Sequence, residues 1–90
     1  MEYMSPGSDL DFLFDCTLFL VTGEEVTTAT WTLETGLIEG TQTDTITGST
    51  LQVEAPAVAG KAYSLKVVVA TNASNTFSRT WFIKVQEQII

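Results

Sequence analysis

Apolar residues at every second position, with threonine between them, constrain this chain to strand. Fifteen of its ninety residues are threonine, a side chain stiff at its first torsion that keeps a pleated solvent face polar without charge. From Phe12 the even positions Phe12, Phe14, Cys16, Leu18 and Leu20 are apolar, which predicts a first strand. Val26 to Glu34 alternates again, with Ala29, Trp31 and Leu33 on one face and threonines opposite. Thr43–Thr47 and Thr50–Glu54 read as two short strands around Gly48-Ser49. Ala62 to Thr71 places Tyr63, Leu65, Val67 and Val69 inward, and Thr76 to Gln86 does the same with Trp81, Ile83 and Val85. The last two runs flank Asn72-Ala73-Ser74-Asn75 and should form a long hairpin. No window holds a helical spacing. About six or seven short strands predict an all-β fold, a two-sheet antiparallel sandwich with one face of each sheet buried.

The expected domain spans 12–86. Residues 1–11 show no period and contain Pro6-Gly7, so they are expected to be a flexible N-terminal arm. Residues 87–90 make a short C-terminal tail. With Met1 at one end and Val85 five residues from the other, the chain reads as a complete product. A length of 90 residues allows one core that buries roughly 60% of the unfolded surface. No charged-then-apolar signal peptide opens the chain, and the longest apolar stretch, Leu18 to Val21, cannot span a bilayer. A product made in the cytoplasm, with no membrane partner, is the expectation.

Composition removes whole classes of chemistry. Four Lys/Arg against eleven Asp/Glu give a net charge of −7, which excludes nucleic-acid binding through a basic footprint. The absence of histidine removes imidazole acid–base chemistry, histidine-activated nucleophiles and most zinc sites. The single cysteine, Cys16, lies on an apolar face beside Asp15, where a thiolate is disfavoured. Asp9, Asp11 and Asp15 could offer oxygens to calcium, but they lack the glycine and glutamate of a calcium loop and read as solvated acids. Glu24-Glu25 read as solvated turn charges. No catalytic residue, cofactor or metal site is expected.

Apolar side chains in the wrong place are more informative. Phe19 and Val21 fall on the odd side of the first strand, Phe82 on the outward side of the last, and Ile89 and Ile90 end the tail. These five are the candidate protein-interface residues, since grouped exposed hydrophobes mark a surface that a partner covers. Charge is also unevenly placed. Residues 1–55 hold ten acids and no base, and residues 56–90 hold four bases and one acid. Either acidic and basic strands neighbour and neutralise one another, or the molecule has opposite faces that meet one another or a basic partner.

The stretch from Asp15 to Val85 resembles small immunoglobulin-like structural proteins of tailed bacteriophages, the fibre–tail adaptor-like family. Asp15-Cys16-Thr17-Leu18-Phe19-Leu20 stands for that family's Asp-Trp-Ser/Thr-x-Trp-Leu element. Ala29-Thr30-Trp31-Thr32-Leu33 and Gly36-Leu37 stand for its Trp strand and Gly-Leu turn. Ala59-Gly60-Lys61-Ala62-Tyr63-Ser64-Leu65 and Arg79-Thr80-Trp81-Phe82-Ile83-Lys84-Val85 match its closing elements, sixteen residues apart from Tyr63 to Arg79. Two positions depart from the pattern: Cys16 stands for a tryptophan, and Ser74 for a turn glycine.

The resemblance implies an immunoglobulin-like sandwich and a non-catalytic virion protein. It implies an adaptor that links tail or fibre components to the particle through protein–protein contacts, as a symmetric homo-oligomer among other virion proteins. Capsid decoration on the head surface is the alternative within the same class. A host-surface or carbohydrate-binding sandwich module is the alternative outside it.

Overall fold

A computed structural model describes residues 2–86 of the chain. It contains seven strands: β1 (Glu2–Met4), β2 (Asp9–Asp15), β3 (Val26–Leu33), β4 (Ile38–Thr45), β5 (Gly48–Glu54), β6 (Ala62–Thr71) and β7 (Thr76–Val85). They form a four-stranded sheet in the order β1-β7-β6-β3 and a three-stranded sheet in the order β2-β5-β4. This is the strand order of an immunoglobulin constant-type sandwich, except that the first strand joins the opposite sheet. All pairings are antiparallel save one, because β1 runs parallel to β7.

Strand pairing begins at Glu2, not at Phe12. The stretch expected to be an arm supplies β1 and the first three residues of β2, where Asp9 pairs with Glu54 and Asp11 with Gln52. Pro6-Gly7 is a turn between the sheets: Ser8 N–H bonds the Ser5 carbonyl at 3.1 Å and Gly7 takes a φ of 74°, as the third position of a type II turn demands. Met4 is buried in the core. Three residues are too few to show a period, so β1 left no alternation to read.

The first strand also ends early. It stops at Asp15, whose Oδ1 accepts from both the Thr17 backbone N–H (3.0 Å) and the Thr17 hydroxyl (2.6 Å), turning the chain into a 3-10 turn at Thr17–Phe19. Phe12, Phe14 and Cys16 are buried as their period predicts, but Leu18 is 96% exposed. Downstream, the two-residue turn falls at Ile46-Thr47, ahead of Gly48-Ser49, and β4 starts at Ile38. Every residue of β4 is exposed, so no buried face imprinted a pattern on it.

The core is built around paired tryptophans. Trp31 and Trp81 stack at 5.6 Å and 11°, Phe12 meets Trp81 edge-on at 5.6 Å, and the Arg79 guanidinium covers the Trp81 ring at 4.7 Å. The Trp31 indole N–H crosses to the other sheet and donates to Ser49 Oγ at 2.9 Å. Ser49 in turn donates to Asp44 at 2.6 Å. An extra residue, Thr27, bulges from β3 between Val26 and Thr28, which shifts the phase so that both Val26 and Trp31 point inward. Tyr63 packs against Gly36, where a Cβ would lie 2.6 Å from the ring and where φ is 118°. The Gly-Leu turn therefore admits only glycine at that position.

Candidate protein interface

Three loops meet at one end of the sandwich: residues 16–25 between β2 and β3, Ile46-Thr47 between β4 and β5, and residues 72–75 between β6 and β7. Backbone bonds tie them together. Cys16 N–H reaches the Thr47 carbonyl (2.8 Å), Val26 N–H the Ile46 carbonyl (2.8 Å), and Asn72 N–H the Glu25 carbonyl (3.0 Å). The Asn72 side chain accepts from Glu25 N–H at 3.0 Å and donates to the Gly23 carbonyl at 3.3 Å. Ser74 holds φ at 63°, so the hairpin keeps a left-handed turn residue where the resemblance led us to expect glycine.

Glu24 is the keystone of this end. It is 7% exposed, against the expectation of a solvated turn charge, and its carboxylate accepts from the Thr71 hydroxyl (2.6 Å), Asn75 Nδ2 (2.8 Å) and Val21 N–H (3.1 Å). These bonds, Thr71 first, hold its pKa below the ordinary 4.5, because each donor favours the charged form. Its contribution to stability is then present above about pH 4.5 and is lost as pH falls through the lower, folded-state value. Asp15, held low by Thr17, acts in the same acid window. The urea midpoint should therefore fall between about pH 6 and pH 3. In Glu24→Gln the fall should be smaller without vanishing, and an equal fall in both proteins would contradict this role for Glu24.

On this tied end stand Leu18, Phe19, Val21 and Ile46, all exposed large hydrophobics. Phe19 is anchored by Phe77 at 5.4 Å and Phe14 at 6.5 Å, while Leu18, Val21 and Ile46 point to solvent. Phe19 and Val21 were expected on the odd face of a strand; they lie in a loop, and the structure brings them together. Phe82 is elsewhere, 57% exposed on the outer face of the four-stranded sheet, beside a hollow of ≈ 260 Å³ lined by Glu2, Arg79, Thr80 and Trp81. Ile89 and Ile90 lie outside the described residues. Sequence reasoning missed Leu18 and Ile46. The Asp15-x-Thr17 turn signal would have exposed the first, and the two-residue turn the second.

Asp9, Asp11 and Asp15 line the outer face of β2 in a row and do not converge, and among the described residues no group of three potential ligands is placed to hold a metal. Cys16 is buried, and burial, with the Asp15 charge adding to it, pushes its thiol up. Among the described residues no helix is long and apolar enough to cross a membrane.

A family model described as podophage GP4 fiber-tail adaptor protein gp77 matches residues 4–84. The chain belongs to that family. The match covers every strand from the end of β1 to all but the last residue of β7, so the adaptor family's model and the sandwich coincide. No curated protein matches the chain. A fibre–tail adaptor family places the protein in the virion, in a structural role and in contact with other virion proteins.

Proposed function

We propose that this chain is a non-catalytic adaptor that joins tail or fibre components to the particle, and that its loop end is the surface it uses. The family match over residues 4–84 carries the adaptor role. The exposed cluster Leu18, Phe19, Val21 and Ile46 supports the choice of surface, because a tied set of loops presents apolar side chains with little ordering left to lose on binding. Phe19 reaches back to the core, so the test uses its exposed neighbours.

The triple variant Leu18→Ser, Val21→Ser, Ile46→Ser should fold with an unchanged denaturation midpoint. It should fail to enter particles assembled in its presence. Incorporation at the native level would remove the loop end as the contact surface. Incorporation only along the head surface, and not at the tail, would favour decoration over the adaptor role.

A further inference from the structure

The uneven charge of the sequence becomes two opposite faces in the fold. The strands of the three-stranded sheet carry Asp9, Asp11, Asp15, Glu39, Asp44 and Glu54 and no base, while Lys66, Arg79 and Lys84 all lie on β6 and β7 of the other sheet. The acidic strands β2, β4 and β5 therefore do not pair with the basic strands β6 and β7, and the one acid on the strands of the four-stranded sheet is Glu2 of β1. Among the described residues the one ion pair is Lys61–Glu34, at 3.7 Å and outside both sheets.

Each outer face also carries exposed apolar side chains. On the four-stranded sheet, alternation and register put Phe82, Lys84, Lys66 and Tyr3 outward, with Tyr3 paired to Lys84; Phe82 and Tyr3 are well exposed. On the three-stranded sheet, Leu13 of β2 is exposed between Asp11 and Asp15, and Ile38 of β4 is exposed opposite Glu54. Asp9 sits directly opposite Glu54 in the ladder, and like charges at such a pair destabilise a sheet. Among the described residues neither carboxylate has an ion-pair partner.

We propose that the basic outer face of one copy docks on the acidic outer face of a second copy of this chain. Phe82 and Tyr3 would meet Leu13, and Lys66 and Lys84 would meet Asp11 and Glu54. Since the two faces lie on opposite sides of the sandwich, the contact is head to tail. Each contact leaves the acidic face of one copy and the basic face of the other free, so the contact propagates and closes as a ring if the rotation allows. One sheet face of three strands about 5 Å apart and seven residues long covers roughly 350 Å², less than a stable pairwise interface needs. A single contact is weak, and repetition supplies the avidity. The contact is a property of the chain by itself. It is read by self-association, and the adaptor role by particle incorporation, so either can fail alone.

The experiment is sedimentation of the full chain up to roughly millimolar concentration at about 0.15 M ionic strength, where the net repulsion is screened beyond about 8 Å. The native chain should associate. Lys66→Glu/Lys84→Glu and Asp11→Lys/Glu54→Lys should each weaken association at least ~10-fold, and their mixture should associate again. The fourfold variant, with both faces reversed, should recover it. Each Lys→Glu change lowers the net charge by two and each acid→Lys change raises it by two, so the fourfold variant keeps the native −7. The Asp11→Lys/Glu54→Lys protein is less repelled overall and should still lose association. Isosteric Asp11→Asn/Glu54→Gln, which leaves the sheet surface intact, should weaken it less. A native chain that stays monomeric, a fourfold variant that stays monomeric, or an undiminished Asp11→Lys/Glu54→Lys protein would each overturn the proposal.

Discussion

Trp31→Ala should remove a large share of the stability of this protein. The residue is buried, stacks on Trp81 and carries the only indole bond described between the sheets, to Ser49. Truncating a buried Trp costs about 3–5 kcal/mol, from lost transfer energy and the cavity left behind. A domain of 90 residues holds about 5–13 kcal/mol in total, so the variant should melt about 15 °C or more below the native chain. Trp31→Phe keeps a ring against Trp81 and loses the indole donor, so it should cost about 1–2 kcal/mol. Urea denaturation of the three proteins separates these cases. A loss under about 1 kcal/mol for the alanine variant would mean that the core is not organised around the tryptophan pair.

Gly48→Ala should be the most damaging single-methyl change. Gly48 opens β5 opposite Asp15, and a Cβ there would lie 3.2 Å from the Asp15 Cα and closer still to the Phe14 carbonyl oxygen. Both obstacles are backbone, so no rotamer relieves them and β2 must move away from β5. Overpacking of this kind costs about 1–3 kcal/mol. The damage should be local first, because the Cys16 N–H to Thr47 carbonyl bond (2.8 Å) lies beside the displaced pair. Faster amide exchange at Phe14 and Cys16, with β6 and β7 unaffected, is the expected signature. An unchanged midpoint with unchanged exchange would show that the β2–β5 spacing is looser than the structure has it.

These effects also bear on the proposed contact surface. Displacing Gly48 shifts Thr47 and Ile46, and through Ser49 it disturbs the bond from Trp31. The loop end is therefore mechanically coupled to the core, and its apolar side chains are presented by the same residues that hold the two sheets together.

Much of the fold was legible because burial on one side of a strand writes a period of two into the sequence. β6 and β7 are long, central and buried on one face, and their expected limits match the observed strands to within a residue. β4 is exposed along its length, and β1 is three residues long; neither carries a period, and neither start was found. The apolar run through Leu18 misled because Asp15 caps a turn that alternation alone does not register. Glu24 looked like a solvated charge because its partners Thr71 and Asn75 lie 47 and 51 residues away.

By itself, the sequence determined the fold class, the inward tryptophans, the exclusion of histidine chemistry and the resemblance to a phage adaptor family. All of these depend on residue type and local spacing. Only the tertiary structure decided which strands share a sheet, and so that the acids of β2, β4 and β5 and the bases of β6 and β7 lie on different sheets. It also gathered Leu18, Phe19, Val21 and Ile46 at one end, with Glu24 tying their loops together. Those outcomes depend on pairing between residues far apart in the chain, which no local pattern encodes.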